Sequence, residues 1–440
     1  MIHLKRHKFQ LFILLLFLPL FALADSPQSW RLAQLPHHLV DIAASGNAFW
    51  ACGADEMIAK STDGGQSWEL KHENASGSVL IYLGFANEQL GYAVGTRGML
   101  LVTTDGGKRW KALRAGKEPI YAVAFADEQH GLIHTRSAVE LTTDGGATWI
   151  PIPALTSDPD LAKFKFVLNL AALDANHMAV LLKEGPADYY DQRILLTQDG
   201  GMTFKTVNVP DVGLSALVTH GGEFWTFGVE VIEKQKKGGG YCVPLVMHSK
   251  DAEHWEHSPR LEQELGSCAS DGCLLWDGVG VDLYGQKPSY WVFPADRTIT
   301  TKWAMVGDTL CAVSGDLHCT TVSRSDTIPK RSENAAVPPT ITPPALGAPT
   351  NTAPVCISCP YDRIVVSDTA SGPSEIEIQL LIATDGTVSD VNVTKAPTPE
   401  IRARFAQAAR SWIFEPYISD GAAAAVRLTT RYTVMVIKSP

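Results

Sequence analysis

Four groups of residues carry the side chains that reaction chemistry uses. Tyr189, Tyr190 and Asp191, with Arg193 close by, are the only cluster suggesting a glycosidase, which needs a nucleophile, an acid and cations around the sugar. They sit in YDQRILLTQDGG, which reads as an insertion at the surface. His248, His254 and His257 with Asp251 and Glu253 offer zinc ligands, but the spacing matches no zinc signature and solvated turn residues explain them better. His37-His38 reads the same way. Cys356-Ile357-Ser358-Cys359 is a C-x-x-C sequence. It follows a Pro-rich stretch and opens no strand–helix unit, so a local bridge is the better reading than a redox pair. KKGGG (236–240) is a flexible loop and not a phosphate cradle. No catalytic residue, metal or cofactor is predicted.

The elements around these residues repeat. STDGGQSWEL (61–70) is followed by TTDGGKRWKAL (103–113), TTDGGATWIPI (142–152) and the looser TQDGGMTFKTV (197–207). Asp63, Asp105, Asp144 and Asp199 are separated by 42, 39 and 55 residues. A second marker runs in phase: FANEQLGYAVG (85–95), FADEQHGLIHT (125–135) and, more weakly, LDANHMAVL (173–181). A period near 40 holding several short apolar runs is that of a β-propeller blade. One blade reads directly as strands over Val79–Phe85, Gly91–Val94, Met99–Thr103 and Trp110–Leu113, with Asp105-Gly106-Gly107 as a turn.

The motif [ST]-x-D-x-G-x-x-[WF] resembles the Asp-box, or BNR repeat. It is Ser61/Asp63/Gly65/Trp68, Thr103/Asp105/Gly107/Trp110, Thr142/Asp144/Gly146/Trp149 and Thr197/Asp199/Gly201/Phe204, with a degenerate copy at SKDAEHW (249–255). The carboxylate should accept backbone N–H groups inside its turn, and the ring should insert between blades, so these residues are structural. Further alternation through 211–232, 273–294 and 303–326 predicts six or seven blades over 25–326, with SWRLAQL (29–35) closing the ring. Together with [LH]-G-[YL], the repeat is similar to the propeller of photosystem II stability and assembly factors. That resemblance implies binding of other proteins. Asp-box propellers also include sialidases, but no R-I-P segment stands near the propeller's start.

The first 24 residues read as a secretory signal peptide: Lys5, Arg6 and Lys8, then FQLFILLLFLPLFAL, then Ala22-Leu23-Ala24 before Asp25. The rival is a retained membrane anchor, for which the apolar run is short and interrupted by Pro19. Without the three basic residues the net charge goes from −10 to −13, which excludes a nucleic-acid partner. Eight cysteines fit an oxidising compartment. Proximity pairs Cys268 with Cys273, Cys311 with Cys319 and Cys356 with Cys359; elimination leaves Cys52 with Cys242.

Residues 327–355 hold repeated Pro among Ala and Thr and form an extended spacer. In 356–440, SEIEIQLLIA (374–383), a turn at Asp385-Gly386, Val388–Val393, a helix over 399–414 and a strand over 424–437 give β-β-α-β. Pro360-Tyr361, Asp385-Gly386, Trp412-x-Phe414-x-Pro416 and Gly421 make this tail similar to the C-terminal domain of TonB-type proteins. The resemblance implies capture of an extended peptide by strand addition, with the last strand offering the edge. The expectation is a non-catalytic periplasmic or secreted protein of a Gram-negative bacterium. Its partners would be envelope or outer-membrane proteins, with membrane contact only if the N-terminal segment is kept. The alternatives are a TonB-type energy transducer with a retained anchor and, behind it, an envelope glycosidase.

Overall fold

In the computed structural model the described residues are 31–325 and 356–438, less short connecting stretches. The signal segment, the Pro-rich spacer, Tyr189–Asp191, Cys359, Pro360, Tyr361, Pro416 and Gly421 lie outside them. Among the described residues no helix is long and apolar enough to cross a membrane.

The propeller has seven blades among the described residues, each an antiparallel sheet of four strands except the sixth, which has five. They run over Leu39–His72, Leu80–Arg114, Ile120–Pro151, Phe166–Asn208, Val212–His257 and Leu265–Val292, then Lys302–Thr321. The inner strand of the first blade touches those of the second and the seventh, so the blades form a ring. Arg31–Leu32 closes it as the outermost strand of the seventh blade, with Arg31 opposite Cys319 and Leu32 opposite His318. Ser323–Ser325 then turns back onto the outer strand of the sixth blade. In that way both ends of the propeller chain are tied to blades other than their own.

Apolar residues from facing blades make the core. The second strands of the first and fourth blades, Ala48–Gly53 and Met178–Lys183, are buried at every position. A strand covered on both faces reads as a continuous apolar run, which is why AFWACG and MAVLLK lack alternation.

Cys311 and Cys319 lie opposite each other in the seventh blade and are joined by a disulfide. Cys268 and Cys273 are backbone partners in the sixth. The pairing of Cys52 with Cys242 is overturned. Cys52 is a free, buried thiol whose Sγ lies 3.8 Å from the carbonyl of Leu80, between the first two blades. Cys242 belongs to the third strand of the fifth blade.

Among the described residues the tail is built on a four-stranded sheet and one helix. Its strands are Arg363–Val366, Gly372–Ile382, Val388–Lys395 and Val426–Lys438. The helix, Pro399–Ala409, starts where Thr398 accepts the N–H of Ile401 and Pro399 occupies the first turn. It ends five residues before the sequence pattern predicts. Ile413–Phe414 instead pairs with Cys356–Ser358, and the N–H of Phe414 is taken by the carbonyl of Gly386. Ile401, Phe405 and Ala409 pack on Ile376, Ile378 and Leu380, with Trp412 and Phe414 completing that core.

Candidate functional site

The four Asp-boxes are built alike. In each, the Ser or Thr hydroxyl accepts the N–H of the motif glycine at 2.8 Å: Gly65 to Ser61, Gly107 to Thr103, Gly146 to Thr142, Gly201 to Thr197. The carboxylate accepts the N–H four residues on, from Ser67 at 2.9 Å, Arg109 at 3.0 Å, Thr148 at 2.8 Å and Thr203 at 2.9 Å. These bonds favour the ionised form and hold Asp63 and Asp105 down at about 2. The degenerate box is one residue shorter. Asp251 accepts from Glu253 and His254, two and three residues on, and Ala252 takes a positive φ of 59°.

The two in-phase sequence markers touch each other. Asn87, Asp127 and Asp174 cap the turns after the inner strands of the second, third and fourth blades. The first glycine of the same blade's Asp-box donates into that turn: Gly106 to Gln89 at 3.0 Å, Gly145 to Gln129 at 2.9 Å, Gly200 to Asn176 at 3.2 Å. The aromatic residue reaches the preceding blade. Trp110 lies 6.1 Å from Trp50, and Trp68, Trp149 and Phe204 pack in the corresponding seams.

Among the described residues, those with reaction chemistry singled out from the sequence are engaged locally within their own blades or turns. Arg193 donates to the carbonyl of Gln192 at 2.7 Å and lies 5.4 Å over the ring of Phe164. His248 bonds Glu223 at 2.9 Å and stacks on Trp225, while His254 bonds Asp251 at 2.7 Å and His257 sits on the outer strand of the fifth blade. His37 is placed between Asp55 and Glu73.

What does surround the axis was not signalled by the repeat. Six inner strands carry a register shift near their start, at Leu39/Asp41, Leu80/Tyr82, Ile120/Ala122, Val167/Asn169, Leu214/Ala216 and Leu265/Ser267. The residue after the shift bonds to the next blade at two of them. Asp41 accepts the N–H of Leu83 at 2.8 Å, and Asn169 that of Leu217 at 3.2 Å. Lys302 of the seventh blade lies 3.5 Å from Asp41 and 5.4 Å over the ring of Tyr82, so three blades meet in one polar knot. Burial pushes the Asp41 carboxyl up, against Lys302 and the two amides that draw it down. A channel cavity of about 470 Å³ opens beyond this knot, toward the ends of the inner strands, with Phe125 and His220 among its walls.

In the tail, Asp385 caps the hairpin through Thr387 at 2.9 Å and Gly386 takes a φ of 93°. Trp412 packs edge-on to Phe405 and Tyr432 at 5.5 and 5.1 Å. The last strand is not at the edge, contrary to the expectation for a captured peptide. Gly372–Ile382 lies on one side of it, and Arg363–Val366 pairs parallel to Met435–Lys438 on the other. Among the described residues, Val426–Val434 has no strand on that second side.

Residues 23–119 match the family described as photosynthesis system II assembly factor YCF48. Those residues are similar to that family. That match spans the first two blades and the closing strand. Among solved structures, YCF48 bound to D1 peptide is 15% identical, with 69% of this chain and 99% of that chain covered and a TM-score of 0.41. YCF48 from Cyanidioschyzon merolae is 15% identical over 66% and 98%, with a TM-score of 0.35. An ancestral GH74 enzyme is 12% identical over 60% and 38%, with a TM-score of 0.34. No curated protein matches the chain.

Proposed function

We propose that this is a non-catalytic interaction protein of the bacterial envelope, exported through its N-terminal segment. The assembly-factor-like propeller is a platform for a protein partner, and the tail takes up an extended peptide by strand addition. The observation that carries the reading is the open flank of the last strand. The sheet already accepts Arg363–Val366 in parallel along Met435–Lys438, and Val426–Val434 continues that flank. Side chains from Val426 to Tyr432 alternate between half-buried and exposed, so the backbone there is within reach of an incoming strand. The most repeated polar residues, in the Asp-boxes, are committed to closing turns.

Peptide display against the full chain tests this. Extended segments should be selected, and proline scanning over Arg427–Thr433 should abolish their binding at alternate positions, where the ladder needs an N–H. Binding that survives every proline would refute strand addition. The apolar N-terminal run keeps the energy-transducer reading alive as a second one. N-terminal sequencing of envelope material decides between them: a start at Asp25 removes the transducer, and an intact Met1 with membrane retention supports it.

A further inference from the structure

The short tail strand Ile413–Phe414 sends its side chains two ways. Trp412 and Phe414 belong to the tail's own core. Ile413 does not, yet it has no exposed surface. Its neighbours are propeller residues: Val79 and Ile81, with Val40 and Tyr121 packed on the same cluster. Val40, Ile81 and Tyr121 are the residues that the pairing register skips in the inner strands of the first three blades. A skipped residue is left out of the ladder. Three consecutive bulges therefore line an apolar socket at the N-terminal mouth of the channel, opposite the open cavity.

We propose that the tail is a latch on the propeller: Ile413 is docked in the socket formed by Val40, Ile81 and Tyr121 and covers that mouth until the tail is displaced. Among the described residues, the tail's share of this cluster is one aliphatic side chain. The contact holds because residues 327–355 tether the tail and keep its effective concentration high. The dock stands on geometry alone, and only its role as a gate rests on the propeller's being a platform.

Small-angle scattering on the full chain reads the dock. Ile413→Asp breaks it from the tail and leaves the tail core untouched; Ile81→Asp breaks it from the propeller. Each should enlarge the radius of gyration and the maximum dimension while the near-UV signal of the folded chain is kept. Unchanged dimensions in both variants, expansion in only one, or a wild-type chain already as extended as the variants would overturn the latch. Envelope pull-downs with the same proteins separate the two claims. Expansion with several-fold more partner captured supports the gate, and expansion with no gain refutes the gate while leaving the dock in place.

Discussion

Asp63 and Asp105 titrate near 2 because the side chain and backbone of Ser67, and the backbone and side chain of Arg109, bond to the ionised carboxylate. A carboxylate depressed below its unfolded value contributes stability that is present above about pH 4 and is lost as pH falls toward 2. His134 acts at higher pH. It is buried on the second strand of the third blade beside Tyr121, and burial lowers its value to about 3. The folded state keeps it neutral while the unfolded chain takes a proton below about 6.5, so stability should fall with pH from there, at a limiting slope of about 1.4 kcal/mol per unit. Urea midpoints measured from pH 7 to 2 should show both windows. His134→Leu should flatten the upper one, and Asp63→Asn with Asp105→Asn the lower. Gly107 is a second test at this scale. It has a φ of 75°, and a Cβ there would meet the ring of Trp50 at 2.0 Å. Gly107→Ala should cost more than Gly222→Ala, where φ is 80° but nothing lies within 4 Å. We expect about 1 kcal/mol for the second, from backbone strain alone, and roughly 3 for the first.

The Asp-box works as an element because three contacts coincide in it. Its carboxylate closes the turn, its first glycine grips the same blade's other turn, and its aromatic ring fills the seam to the previous blade. The ring is what the seam needs, not the indole N–H: Nε1 of Trp68, Trp110 and Trp149 is buried without a hydrogen bond. Phe204 already stands at the fourth position and packs in the matching seam. Trp110→Phe should therefore change stability by less than about 1 kcal/mol, whereas Trp110→Ala should cost about 3–5. A large loss for Trp110→Phe in chemical denaturation would show that the N–H matters. In the tail, the same logic explains why the helix stops early. The apolar spacing of Ile401, Phe405, Ala408 and Trp412 fits a longer helix. Beyond Ala409 the backbone has better partners in Cys356–Ser358 and Gly386, and it leaves the helix to reach them.

At the scale of the whole molecule, closure concentrates at one seam. Arg31 pairs opposite Cys319 and donates to the carbonyl of Gly64 at 2.9 Å. A Cβ on Gly65 would lie 2.3 Å from Cys319 Sγ, so the first blade's Asp-box packs directly on the disulfide. The Asp41–Lys302 pair ties the same two blades at the axis. Removing the bond with Cys311→Ser and Cys319→Ser should cost about 2–3 kcal/mol, the closure entropy of a loop this short. Unfolding should stay a single transition if the seam only adds stability. A separate early transition would mean that the ring opens there first.

Local chemistry made much of this legible from the sequence. Asp-Gly turns, their period of about 40 and the apolar runs between them dictate blades, because turn geometry and strand alternation are set by residues a few positions apart. The closing strand was visible for the same reason, since an unpaired edge strand must be covered. The Cys52 thiol, the Asp41–Lys302 knot, the interior place of the last strand and the outward turn of Ile413 were not. Each joins residues far apart in the chain, and no spacing encodes which blades or domains end up facing each other. The sequence by itself determined the blade, its turns and its staples. Only the tertiary structure decided that seven blades complete the ring, which side chains meet at its axis, and that three bulges face a single isoleucine from the tail.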